Sequence, residues 1–203
     1  ATEEAFRALE TLKREGKIRS IGVSNFGVRQ MEEALASGVQ IDVNEMPYNL
    51  FSRAIEESIL PFCLRNNIGI VGSMALQQGV LAGIYKSADQ VPHNQAHSRH
   101  FHHNGPGAET EMFEALERLR SKAAGMHVTL PQLAIAWVIH RNGIASTLVG
   151  ARNPSEFQEN LKALDLRLTE ADIAWLDDAT QPVLAKIGTN PDYYESAENS
   201  RIW

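Results

Sequence analysis

The chain has 203 residues, 43% hydrophobic and 22% charged, with a formal net charge of −6. That balance suits a globular domain with a sizeable core, and without a basic face it excludes a general nucleic-acid binder. No apolar run approaches the roughly twenty residues of a membrane span, and the single cysteine, Cys63, cannot form an intrachain disulfide, which points to the reducing cytoplasm.

The amino terminus reads as a helix entry rather than a secretory leader, with Thr2 as N-cap and Glu3 and Glu4 in the first turn. A chain that starts on a helix cap is expected to be a piece of something longer. Ala5, Phe6, Leu9 and Leu12 then fall on one face of a helix over residues 3–15, which Gly16 stops. Ile18, Ile21 and Val23 predict a buried strand over residues 18–23 that delivers Ser24-Asn25 at its end. A second helix covers residues 28–36 and ends at Gly38, and a second strand over residues 39–46 delivers Asn44-Glu45. Pro47-Tyr48-Asn49 turns the chain into a loop, a helix follows over residues 56–66, and a third strand over residues 68–71 ends at Gly72-Ser73-Met74.

Residues 84–109 differ in character: they are polar, hold Pro92 and Pro106, and carry His93, His97, His100, His102 and His103. A loop of this length in a compact domain is functional or disordered. With no cysteine or organising carboxylate beside the imidazoles, it reads as a polar loop over a site rather than a metal centre. Two helices follow, over residues 109–124 and 130–141, the second with Pro131 in its first turn. A fourth strand over residues 144–149 ends at Gly150-Ala151-Arg152, and a helix covers residues 154–164. Thr169 to Asp172 resembles a capping box that opens a last helix to about Ala179, before an aperiodic tail over residues 181–203.

Four strand–helix units in alternation predict an α/β fold with a parallel sheet and right-handed crossovers. They fit an open doubly wound sheet or half of an eight-stranded barrel. No Gly-x-Gly-x-x-Gly follows a strand, which counts against the dinucleotide fingerprint of the doubly wound fold.

Four segments in order carry a family likeness. Residues 16–26, GKIRSIGVSNF, resemble the GKIRxIGVSNF segment of aldo-keto reductases; residues 43–49, VNEMPYN, are similar to the family's VNQxPYN strand. Residues 75–83, ALQQGVLAG, resemble its PLxxGxLxG loop, and VGARNP at 149–154 with Glu159-Asn160 resembles its closing segment. The resemblance implies a (β/α)8 TIM barrel binding NADP(H) or NAD(H) at the carboxyl ends of its strands. This chain would be one domain, residues 1–203, covering about the last four β/α units, with a long active-site loop at 84–109 and a carboxyl-terminal tail at 181–203.

The same resemblance implies the site. Ser24 and Asn25 would bind the nicotinamide carboxamide, for which a hydroxyl and an amide supply donors and acceptors. Glu45 stands where the family usually has glutamine, and Ser73 where it often has a stacking aromatic residue. Met74, Leu76, Gly79 and Leu81 belong to the cofactor loop, and Gly150, Ala151, Arg152, Glu156, Glu159 and Asn160 to the adenosine end. Arg152 would meet the 2'-phosphate, which favours NADP(H) with NAD(H) as the alternative; Glu159 and Asn160 would meet the adenine. Tyr48 and Arg99 would face a carbonyl, alcohol or sugar substrate. The family's aspartate, tyrosine, lysine and histidine tetrad lies upstream of every matched segment, so no catalytic residue is assigned and the missing amino-terminal half is the expected partner. A non-catalytic nucleotide-binding barrel, acting as a sensor or interaction subunit, is the alternative.

Overall fold

The computed structural model describes residues 2–203, and the N-cap expected of the Thr2 side chain lies outside what is described. The helices are α1 (Thr2–Arg14), α2 (Val28–Ala36), α3 (Ile59–Arg65), α4 (Glu109–Gly125), α5 (Leu130–Ile139), α6 (Pro154–Leu161) and α7 (Glu170–Ile187); the strands are β1 (Gly22–Ser24), β2 (Val43–Pro47), β3 (Gly69–Ser73) and β4 (Ile144–Thr147). Every strand pairs in parallel with the next in sequence, in the order β1-β2-β3-β4. An order without reversal has no topological switch point, so the sheet is singly wound, like the wall of a barrel, and the doubly wound alternative falls.

The two faces of the sheet differ. Asn44, Met46 and Ile70 are fully buried toward the helices, Asn44 lying against Met31 of α2. Gly72 leaves just enough room for Val138 of α5, whose Cγ1 would lie 3.3 Å from an added Cβ. On the other face Gly22, Ser24, Ala145 and Ser146 are exposed, and Val43, Glu45, Gly69, Val71 and Ser73 are half-buried. Gly22, Val43, Gly69 and Ala145 form one row there: a Cβ on Gly22 would come within 2.7 Å of Val43, and one on Gly69 within 2.8 Å of Ala145. Parallel sheets are ordinarily covered on both faces; among the described residues, helices cover one.

Several elements differ in extent from the periodicity. The β1 ladder starts at Gly22 rather than residue 18 because the Ile21 N–H donates to the Asp42 carboxylate at 2.8 Å instead of to a neighbouring strand. Pro47 closes β2 from inside the strand, and Tyr48 N resumes pairing with Ser73 O at 2.9 Å. The third helix is broken at Ser58 (φ −136°), leaving a 3-10 turn at Ala54–Glu56 ahead of α3. The last helix runs on to Ile187 with Pro182 inside it. Proline removes one helical donor there, but the carbonyl it orphans belongs to Asp178, an exposed residue that water can reach. Leu176, Ala179 and Val183 meanwhile keep that helix buried in the core.

The capping box at Thr169 is present: its hydroxyl accepts from Asp172 N at 3.1 Å, and the Asp172 carboxylate accepts from Thr169 N at 3.0 Å. The long loop at 84–109 is irregular apart from a 3-10 turn at Ala88–Gln90, yet Val91, Ala96, Ser98, Arg99, His100 and Phe101 are buried. Among the described residues no group of three or more His, Cys, Asp or Glu side chains is arranged to hold a metal ion, and no helix is long and apolar enough to cross a membrane.

Candidate functional site

Parallel pairing brings the ends of all four strands to one edge of the sheet. There the loop after β3, the loop after β4 and the start of α6 enclose a cleft of about 880 Å³. Met74, Leu76, Gly79, Gly150, Arg152, Glu156, Glu159 and Asn160, all named from the motifs, line it together. Gln78, Tyr85, Gln95 and Thr129 also line it and were not anticipated. Tyr85 and Gln95 are hydrogen-bonded to each other across the long loop, a pairing no local motif encodes.

The loop after β3 is held under backbone strain. Met74 (φ 56°), Gln77 (φ 47°) and Gln78 (φ 51°) are left-handed without being glycine, at a cost on the order of 1 kcal/mol or more each. Side chains from the preceding loop fix it. Asn49 Nδ2 donates to Met74 O and to Gln77 Oε1, both at 2.9 Å. Ser52 Oγ donates to the same Gln77 oxygen at 2.9 Å. Leu81 is fully buried and anchors the loop to the core rather than facing the cleft.

At the other end, Arg152 is exposed and already paired. Its backbone N–H and its Nε donate to the two oxygens of Glu156 at 2.8 and 2.9 Å. Hydrogen bonding to Arg152 holds the Glu156 carboxyl below its usual range, and the same bonds raise the Arg152 guanidinium. Asn153 caps α6 by accepting from Glu156 N at 2.9 Å, so the clasp sits on a helix amino terminus. Asn160 Nδ2 reaches back to Gly150 O at 3.4 Å. Ala151 is exposed between them.

Ser24 and Asn25 lie outside the cleft, exposed at the end of β1. Asn25 is left-handed (φ 57°), its N–H donates to Glu45 O at 2.9 Å, and its Nδ2 donates to Ser24 Oγ at 3.1 Å. Asn44 holds the turn from below: its Nδ2 donates to Phe26 O at 2.9 Å and its Oδ1 accepts from Phe26 N at 3.4 Å. Glu45 stands opposite Ser24 in the ladder, and Ser73 ends β3 beside Pro47.

Besides Leu81, two assignments are corrected. Tyr48 is fully buried, its ring centroid 5.1 Å from that of Trp137. Its hydroxyl donates to Glu56 Oε1 at 2.7 Å and accepts from Arg141 Nε at 3.0 Å. Burial, with the Glu56 charge beside it, pushes that hydroxyl far above the usual tyrosine range. The residue belongs to a network in which Arg141 also binds Glu56 (2.9 Å) and Asp177 (2.7 Å), so it is a core strut and not a substrate contact. Arg99 is buried too, and burial lowers its guanidinium. It donates to three backbone carbonyls at and after the end of α7: Ile187 at 2.9 Å, and Asn190 and Asp192 at 3.2 Å. It pins the tail rather than facing a ligand.

His100, beside it, is buried with Nε2 2.8 Å from Phe51 O and Nδ1 3.1 Å from Ser98 Oγ. A carbonyl only accepts, so Nε2 carries the proton and Nδ1 accepts from the Ser98 hydroxyl. Burial pushes this imidazole down to about 4.

A singly wound parallel α/β sheet with a cleft at the carboxyl edge of its strands, rimmed by a strained loop and a helix amino terminus, defines a barrel-type protein with a ligand-sized site. The Aldo/keto reductase family model matches residues 1–181, and the chain belongs to that family. It is 33% identical over 170 residues to the NADH-specific methylglyoxal reductase of Escherichia coli, covering 83% of this chain and 51% of that protein. It is 28% identical over 185 residues to the aldo-keto reductase yakc [NADP(+)] of Schizosaccharomyces pombe, covering 87% and 52%. The solved structure of a glycerol dehydrogenase from Gluconobacter oxydans superposes with a TM-score of 0.76 at 26% identity, over 94% of this chain and 56% of that one. The chain thus spans about half the length of the curated relatives it matches.

Proposed function

We propose that this chain is the dinucleotide-binding, carboxyl-terminal half of an aldo-keto reductase barrel acting in the cytoplasm on a small carbonyl, alcohol or sugar. The observation that carries the reading is the cleft, which gathers residues from four separate sequence segments at the carboxyl edge of the sheet. Its volume, about 880 Å³, falls in the range of ligand sites, and its walls combine polar and apolar groups. Relatives named for NADH and for NADP(+) support a nicotinamide cofactor.

When bound, the nicotinamide would supply or take the hydride. The chain's own residues would bind and orient it. Ser24 and Asn25 would meet the carboxamide, with Glu45 and Ser73 beside them. Leu76 and Gly79, on the strained loop that begins at Met74, would cover the diphosphate, where Gly79 lets the backbone approach closely. Gly150 and Ala151 leave the path to the adenosine end uncrowded, Glu159 and Asn160 would meet the adenine, and Arg152 at the start of α6 would meet a 2'-phosphate. The group that handles the proton at the substrate oxygen is assigned to the barrel's other half, for which the open sheet face and the unpaired edges of β1 and β4 are the expected contact.

We favour NADP(H) over NAD(H) because a guanidinium at a helix amino terminus suits a phosphate dianion. The test is fluorescence titration of the protein with NADPH and NADH. Arg152→Ala weakens NADPH binding several-fold more than NADH binding; equal losses for both remove Arg152 from the phosphate site.

A further inference from the structure

Helix α2 begins without a cap of its own. Its N-cap residue, Gly27, has no side chain to accept from the N–H of Gln30, the third residue of the helix, which a serine, threonine or aspartate would do. Glycine is not required there by conformation: at φ −78° and ψ 179° any residue fits. It is required by space. A Cβ on Gly27 would lie within 2.6 Å of the backbone nitrogen and carbonyl carbon of Trp203.

The tail supplies what the glycine lacks. Gln30 N donates to Trp203 O at 3.1 Å, the position an N-cap oxygen would take. Trp203 N donates in return to Gln30 Oε1 at 3.1 Å, an atom that also accepts from Gly27 N at 2.9 Å. The Arg29 guanidinium lies 5.1 Å from the Trp203 ring centroid, and Ile202 packs on the core. At its other end the same segment is held differently, by the buried Arg99, which donates to its Asn190 and Asp192 carbonyls and to Ile187 O at the end of α7. Between the two ends Asp192 organises the turn, accepting from Tyr194 N, Glu195 N and Ser200 Oγ at 2.9–3.0 Å. Residues 194–199 are otherwise exposed.

We infer that residues 188–203 form a strap with one fixed and one detachable end: Arg99 is the fixed end, and the Gly27–Gln30 helix start is a docking seat that Trp203 caps in trans. The seat lies two residues past Asn25, so docking ties the end of β1 to the segment after α7. The fixed end rests on a buried guanidinium bonded to three backbone carbonyls; the detachable end rests on two hydrogen bonds, the Arg29–Trp203 contact and the partly buried Ile202.

The test is hydrogen exchange followed by mass spectrometry on the wild-type protein and Gly27→Ser. The serine hydroxyl gives α2 a cap of its own while its Cβ excludes Trp203, so the variant stays folded with a thermal midpoint within about 4 °C of wild type. Exchange over residues 194–203 rises about tenfold, while residues 188–193 and the sheet stay protected. Unchanged exchange over residues 194–203 overturns the proposal. So does an equal rise across 188–193, which would make the tail one unit without a separate seat. Deletion of Ile202 and Trp203 leaves the sequence of α2 untouched and removes the capping carbonyl itself if the serine variant fails to fold: it accelerates exchange over residues 194–201, and no acceleration there refutes the seat.

Discussion

Acidification tests the buried imidazole of His100. Burial holds its pKa down to about 4 in the folded protein, against about 6.5 for an exposed histidine. Above about pH 6.5 both states are neutral and the group has no effect. As the pH falls, the unfolded chain takes up the proton first and the folded state cannot follow until about pH 4, so stability is lost across that window. At about pH 4.5 the linkage amounts to about 2.5 kcal/mol, which for a chain of this size lowers the thermal midpoint by about 5–10 °C. The assay is thermal unfolding at about pH 7.5 and pH 4.5 for wild type and His100→Gln. Glutamine can still donate to Phe51 O but does not titrate, so the variant loses stability at neutral pH and loses less than wild type on acidification. Asp172 does not confuse the comparison. Hydrogen bonds from Lys122 and Thr169 hold its carboxyl down to about 2, so its contribution persists at pH 4.5 and fades only lower. Equal acid losses in the two proteins would falsify the buried neutral imidazole.

The network around Tyr48 and the clasp at Arg152 contrast buried and exposed charge. Glu56→Ala removes the carboxylate shared by Arg53, Arg141 and Tyr48; a loss of about 3 kcal/mol in urea unfolding is expected, because it leaves two largely buried guanidinia with Asp177 as their shared carboxylate, and a loss under about 1 kcal/mol would show the network to be solvated. Glu156→Gln instead frees Arg152 on the surface; stability barely changes, because the pair is solvent-screened, while NADPH affinity rises relative to NADH about fivefold, as fluorescence titration would read. No change in that ratio would mean that Arg152 does not contact the phosphate.

The sequence was informative where a residue's role is local. Residues 28–36 show their helix in the spacing of Met31 and Ala34, and Thr169 shows its capping box four residues at a time. The cleft was legible through motifs, because Met74, Gly150 and Arg152 sit at strand ends, where a parallel sheet must converge. What escaped is partner choice over distance. Asn49 and Gln77, which hold the strained loop, are 28 residues apart, and no periodicity links them. Arg99 looks like a loop cation in sequence and is buried because α7 continues past Pro182 to bring Ile187 O to it. Tyr48 sits in a ligand-type motif, but its ring is claimed by Trp137 and its hydroxyl by Arg141, 93 residues away.

The row formed by Gly22, Val43, Gly69 and Ala145 on the open sheet face acts as a mould. Three small positions surround one valine, so the surface that fits there has the inverse relief: bulky side chains over the glycines and the alanine, and a short one opposite Val43. Close packing tolerates little error in such a layer. Any complementary piece brought to this face, natural or engineered, therefore has its side-chain volumes prescribed by these four residues before its own sequence is known.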